Sequence, residues 1–452
     1  MHMLRACRTY VLLLTPLAGL LGMPQDVTFD RDVLPVLQKN CQRCHRPGEV
    51  APMSLLTYAD ARPWAKAIKK AVLTKQMPPW FADPNYGPFL NNASLSAKEI
   101  DILVAWADQG APEGNPADKP APVAFPDGWN IKPDMVIEMP KEFHLPAKGT
   151  INYQNILVKV NFPEDKWVVA AEMRPGNPQV VHHMRGIIRG PHSHWMETAV
   201  PGEAYESGDD VMGTNDEGEN LVGKFNPGLG PQYFDVGGSA KFIPKGSDFV
   251  FNIHYTAIGK PATDRSKIGL VFAKHPPASR YYMANVPYAG NMVIRPGDPD
   301  AEVVSEVTLQ RDVTLVYLQP HMHVRGKDYE FRAIYPTGES ATLFKGKWDF
   351  NWQLGYQFAK PVLLPKGTRL IGISHFDNSI SNRFNPDPSK EVRWGPQNWD
   401  EMSAAFIGIV VPDLHADLRT VFRKSGPSLL PVDLSRSGPA IESIAGIAKT
   451  TH

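Results

Sequence analysis

One fifteen-residue pattern occurs twice in this chain, and it constrains the fold more than any other feature. Residues 242–256 read FIPKGSDFVFNIHYT and residues 363–377 read LLPKGTRLIGISHFD. In each, a Pro-Lys-Gly turn is followed by a strand-like run that carries a histidine ten residues after the proline, His254 and His375. Proline and glycine punctuate, and β-branched and aromatic residues fill the run, which is the signature of a strand leaving a tight turn. A second echo sets HHMRG at 182–186 against HMHVRG at 321–326. The two echoes predict two sequentially related β-sandwiches that divide between about residues 276 and 300.

A chain of 452 residues is too long for one core, so more than one packing unit is expected. Lysine plus arginine equals aspartate plus glutamate at 47 each, which leaves no electrostatic footprint for nucleic acid. At the N-terminus, Arg5 and Arg8 precede an apolar run from Tyr10 to Leu21. That run is short for a bilayer span and reads as an export signal over 1–25, cut near Gly22. An uncleaved anchor is the alternative. Export implies a periplasmic or secreted protein.

Residues 26–111 read as helical: Asp30 to Asn40, Tyr58 to Leu73, and a helix opened by the Ser96/Glu99 capping box and closed at Gly110. Residues 112–126 hold Pro112, Pro116, Pro120, Pro122 and Pro126 and predict an extended linker. Beyond it, short apolar alternation between turns takes over. The tail 426–452 is rich in serine, proline and glycine and is expected to be loosely ordered.

Of three cysteines, Cys7 leaves with the signal, and Cys41 and Cys44 remain in Cys41-Gln42-Arg43-Cys44-His45. This is the attachment pattern for covalent haem, two thiols for the vinyl groups and an imidazole for the iron. A zinc site would need two further ligands, and no cysteine remains to supply them. The second axial ligand is expected from Met77, on the proline-stiffened MPPW loop, with Met53 as the alternative. The segments NCQRCHRPG, MPPW and WADQGAPEG make residues 28–112 resemble the small cytochrome c domains of exported bacterial oxidoreductases. That resemblance implies a one-electron carrier.

Fourteen histidines occur in the chain. His321 and His323 are two apart, so on a strand both project from one face while Met322 projects from the other. His182 and His183 are adjacent, and both can reach one metal only at a bulge or a strand end. On the strand through Tyr255, the residues Phe249, Phe251, Ile253 and Tyr255 form an apolar face and leave His254 opposite them.

These histidines, in VVHHM, FNIHYTA, QPHMHVRGKDYEF and WGPQNWDEM, make residues 127–425 resemble the copper type II, ascorbate-dependent monooxygenases. The resemblance implies two copper ions. His182, His183 and His254 would hold an electron-storing copper. His321, His323 and Met402 would hold a catalytic one, with His375 as the rival third ligand. Two imidazoles and a thioether favour the cuprous state that meets dioxygen. The implied activity is hydroxylation of a C–H bond of a small-molecule substrate with O2, using two electrons delivered one at a time through the haem from an external donor. The chain departs from the eukaryotic members in having no cysteine in this region and no counterpart of the residues that grip a peptide carboxylate. Competing readings are a non-catalytic electron-transfer or copper-binding protein and a haem peroxidase.

The expected fold class is thus multidomain: a small all-α cytochrome c domain (26–111), then two all-β, jelly-roll-like sandwiches at 127–285 and 286–425.

Overall fold

Runs of β-branched and aromatic residues between glycine and proline turns should pair as ladders, and strands account for 37% of the structure against 12% helix. The computed structural model describes residues 26–125, 128–206 and 221–424. The expected export signal, Pro126 of the linker and the expected tail at 426–452 lie outside the described residues. Among the described residues, no helix is long and apolar enough to cross a membrane.

Three sheets build the body. The largest has nine strands. Its main path runs Met135–Glu138, Lys267–Phe272, Lys166–Arg174, Ser239–Ile243, Ser279–Tyr288, Ala404–Val411, Val313–His321 and Tyr356–Leu364, with Gln232–Tyr233 paired onto Lys166–Arg174. One five-stranded sheet, with Val181–Arg189 and Asp248–Tyr255 near its centre, packs on the N-terminal half of the large sheet. A second, centred on Gly326–Ile334 and Arg369–Phe376, packs on the C-terminal half. The two copies of the Pro-Lys-Gly pattern therefore occupy corresponding inner strands of the two smaller sheets.

This architecture corrects the expected fold class in two ways. The two halves are not separate sandwiches, because one sheet runs through both. The boundary expected at 285/286 falls inside Ser279–Tyr288, which pairs in parallel with Ser239–Ile243 on one side and antiparallel with Ala404–Val411 on the other. Nor do residues 26–111 stand as an all-α cytochrome c domain. Their helices are short: Leu34–Asn40, Tyr58–Ala61, Ala65–Leu73 and Ala97–Asp108. Phe29, Leu37, Ile68, Leu103 and Trp106 bury against one another as a small core, and the Ser96/Glu99 capping box forms.

Between the third and fourth helices, however, residues 76–95 contain no helix. Pro78, Pro79, Pro84 and Pro88 remove donors and forbid helical turns there, while the aromatic residues of the run still need burial. They find it on the C-terminal half. The Asp83 amide donates to Lys345 O at 2.8 Å and the Leu90 amide to Gln357 O at 2.8 Å. Phe89 packs in the same core as Phe344, Tyr356 and Phe358. The helical segment is thus laced into the β body.

Candidate metal centre

The first histidine group is made by a register shift. Asp248–Tyr255 pairs antiparallel with Val181–Arg189 so that His254 lies opposite His183, and the next pair is Tyr255 with Val181. His182 is the extra residue of that bulge, which lets two adjacent histidines serve one place. One nitrogen from each of His182, His183 and His254 lies within 4.8 Å of the others. Two nitrogens bound to one metal at about 2 Å each sit no more than about 4 Å apart. His254 Nδ1 and His183 Nε2, 3.3 Å apart, already meet that limit. Tyr153 closes the site, with its hydroxyl 3.2 Å from His183 Nε2 and its ring stacked on His254 at 4.7 Å between centroids.

Electrostatics favour ligation. Burial pushes His182 down to about 4 and His254 to about 3, and holds His183 well below the ordinary imidazole value. All three rings are therefore neutral at pH 7 and offer lone pairs. His182 Nδ1 is buried without a hydrogen-bond partner, which a metal ion would satisfy. Three imidazoles suit copper or zinc.

The second group sits where two strands of the large sheet run out together. His321 ends Val313–His321 and pairs with Ala404. His323 lies two residues beyond His321, and Met402 two residues before Ala404, where both strands have ended. The rings of His321 and His323 are 5.3 Å apart between centroids, and Met322 is buried in the opposite core. Burial lowers both histidines, His323 to about 4. The His323 Nδ1 is buried without a hydrogen-bond partner, which a metal ion would satisfy. His321 and His323 fit a metal here as well, and a thioether from Met402 would favour cuprous copper over zinc.

Both groups lie on one buried seam. The side of the Asp248–Tyr255 strand that carries Asn252 and His254 faces the C-terminal half, which covers it: Lys224 Nζ donates to Gln319 Oε1 at 2.6 Å, Asn226 Nδ2 to Gln353 Oε1 at 3.1 Å, and His182 packs on Phe350. A charge on His323 would be felt at His254, and one on His321 at His183. Gln353 is the hub of the seam. Its Oε1 also takes the Nδ1–H of His321 at 2.9 Å, which fixes the tautomer and leaves His321 Nε2 for a metal. Gln353→Leu is expected to weaken copper at the His321 group by about 10–100-fold while leaving the three-histidine group intact. Competitive chelator titration, with spectra that separate the two sites, measures this.

The Cys41-Gln42-Arg43-Cys44-His45 turn follows the Leu34–Asn40 helix directly. Cys41 and Cys44 are both unbridged, and burial pushes the Cys41 thiol up to about 12 and raises Cys44 too. His45 Nδ1–H donates to Met53 O at 3.3 Å, leaving Nε2 directed elsewhere. Two cavities, of about 710 and 1270 Å3, share the Cys41, His45, Met77 and Trp80 wall. Met77 borders both. The Met53 backbone is already committed to the Nδ1 edge of His45. The residues fit a haem that Cys41 and Cys44 would attach and His45 would ligate, with Met77 in the same cavity wall.

His375, the rival ligand, is occupied elsewhere. Its Nδ1 is 2.8 Å from Asp328 Oδ1 and its Nε2 is 3.6 Å from Glu302 Oε2 on the second five-stranded sheet. The internal repeat placed it correctly on a strand, but its sheet is not the one that carries His321. Sequence reasoning missed Tyr153, Gln353, Phe350, Glu401 and Arg325. Arg325 and Glu401 stand inside the quoted QPHMHVRGKDYEF and WGPQNWDEM segments, where a charged pair flanking three ligands was a usable signal. Nothing local marks Gln353 or Phe350.

No protein-family model matches the chain, and no curated protein matches it in sequence. Among solved structures the chain is similar to the major capsid protein P2 of bacteriophage PM2, at 10% identity over 61% of this chain and 97% of that one, with a TM-score of 0.26. It is also similar to a structure of infectious bursal disease virus, Gx strain, at 10% identity over 65% and 76%, with a TM-score of 0.17. Scores this low carry no argument about ancestry or activity.

Proposed function

We propose that the chain is an exported copper monooxygenase that hydroxylates a C–H bond of a small molecule with O2 and draws its electrons through a covalently attached haem c. The observation that carries the reading is one buried seam on which three convergent neutral histidines face His321 and His323, with Met402 two residues before Ala404, the strand partner of His321. The balance is RH + O2 + two electrons + two protons → ROH + H2O. When bound, copper supplies the one-electron reduction of dioxygen that such a reaction needs, and haem supplies the electrons.

The chain's own residues do the rest. His182, His183 and His254 hold one ion in a set closed by Tyr153. His321, His323 and Met402 hold the other, leaving it short of a full ligand set so that gas can reach it. Gln353 orients His321. Glu401 accepts the backbone amides of His323 and Arg325 at 2.8 and 2.7 Å, which fixes the loop that presents His323. A cavity of about 390 Å3, bordered by Lys148, His254, Gln397 and Trp399, opens beside the three-histidine group.

The test uses holoprotein whose haem has been reduced without oxygen. Admission of O2 and a competent substrate is expected to oxidise the haem, and mass spectrometry is expected to find one atom of isotopic dioxygen in the product. Haem that stays reduced with copper loaded at both groups sinks the proposal.

The deep burial of His321 and His323, at 7% and 3% exposure, favours a second reading, a non-catalytic electron carrier on the same scaffold. Met402→Leu separates the two. The oxygenase loses label incorporation and keeps copper at the three histidines, whereas a pure carrier shows no incorporation before or after the change.

A further inference from the structure

The segment Asp349–Gln353 reaches one histidine of each group and the wall of the Cys41/His45 crevice. It is a tight turn: the Trp352 amide donates to Asp349 O at 3.0 Å, and Asp349 Oδ1 accepts from the Asn351 amide at 2.9 Å. Successive side chains then go to different places. The Phe350 ring packs on His182 at 5.0 Å between centroids and 33° between planes. Asn351 and Trp352 border both cavities that flank Cys41, His45 and Met77. Gln353 Oε1 takes the Nδ1–H of His321.

Trp352 is held by close packing. Gly228, at φ +83°, lies so near that an added Cβ would meet the indole Cε3 at 2.9 Å. A side chain there would push the ring out of the cavity wall. His182 itself borders the 710 Å3 cavity together with Cys41, Cys44 and His45.

We infer that Phe350 and Trp352, one ring on His182 and the other in the wall of the Cys41/His45 crevice, form the internal electron bridge from haem to the three-histidine copper. The inference rests on the haem and copper assignments above and goes beyond them in naming the route, its point of arrival and the residues that carry it. In the step, one electron leaves ferrous haem iron, which becomes ferric, and cupric copper on His182, His183 and His254 becomes cuprous. No proton or bond changes hands. Electron tunnelling weakens steeply with the length of poorly packed gap. Phe350 on His182 and Trp352 in the crevice wall belong to one turn and offer packed aromatic rings at both ends of that gap, whereas the Gln353 branch reaches His321 only through an amide. Electrons therefore arrive at the three-histidine site first. Trp352 and Phe350 are positioning residues for this transfer and bind neither group.

The experiment uses the full-length holoprotein with haem attached and copper loaded. Haem is reduced by a fast pulse, and its reoxidation by the three-histidine copper is followed optically without oxygen. Phe350→Leu with Trp352→Leu is expected to slow that internal transfer by about tenfold or more. Copper content, the haem potential and direct reduction of copper by ascorbate should stay unchanged. Transfer at the parental rate with both metals in place overturns the bridge and leaves the copper assignment standing. Parent protein that carries haem but takes up no copper on the three histidines overturns both. A measurement free of substitutions guards against misfolding: magnetic dipolar broadening of the three-histidine copper signal by ferric haem should be present in the parent. Its absence places the groups too far apart and overturns the inference.

Discussion

Exchanging His321 for alanine should halve the copper content, from two ions per chain to one, and lower product formation more than a hundredfold. Loss of a mere supporting contact around a metal ligand already costs about 10–100-fold, and loss of the ligand itself should exceed that. The surviving ion should sit on His182, His183 and His254, whose strands belong to a different sheet and whose pairing does not involve residue 321. Haem content should not change, because the Cys41–His45 turn is remote in sequence and borders the crevice independently. Metal analysis, spectra of the remaining copper and isotopic labelling of product read the three outcomes. Full copper retention, or full activity with one ion, contradicts the assignment of His321 as a ligand.

Glu401→Ala is expected to be the most destabilising single change near the site. Glu401 is completely buried and accepts the amides of both His323 and Arg325. Arg325, 2% exposed at its side chain, lies 4.0 Å away and otherwise spends its donors on Asn378, Asn385 and the Trp399 carbonyl. Truncation orphans two buried amides at about 1–3 kcal/mol each, so a loss of about 4 kcal/mol is expected. The denaturation midpoint should fall with an unchanged slope. The loop carrying His323 and Met402 should lose its copper in the same variant.

Glu401→Gln is the informative control. Burial pushes the carboxyl of Glu401 from 4.5 up to about 8, against the pull of its amide donors and Arg325. A raised folded value means the folded chain holds this proton where the unfolded chain has released it. Its contribution to stability is therefore present below pH 4.5 and fades as pH climbs towards 8. Glutamine has no proton to lose, so Glu401→Gln should gain on the parent over that window. Parallel pH profiles for the two proteins contradict this ionisation behaviour.

Much of this was legible in the sequence because it is local. The Ser96/Glu99 cap, the Pro-Lys-Gly turns and the alternation that leaves His254 opposite Phe249, Phe251 and Ile253 are written within one turn or one strand. Even the bulge at His182 could be anticipated, since adjacent side chains on a regular strand point apart. What was not legible is non-local. The proline-rich run 76–95 had no reason of its own to prefer the C-terminal half, and its aromatics simply took the nearest apolar face. The parallel pairing of Ser279 with Ser239 that fuses the halves depends on neither strand's pattern. Gln353 and Phe350 acquire their roles from what a turn delivers them to, so no spacing rule reveals them.

The unbroken ladder from Met135 to Leu364 has a mechanical consequence. A pair of lobes joined by a flexible tether can swing apart, but here a swing would have to break the pairing that joins Ser279–Tyr288 to Ser239–Ile243. Any opening between the halves therefore falls to the loops at the rim, while the sheet that spans both halves stands still.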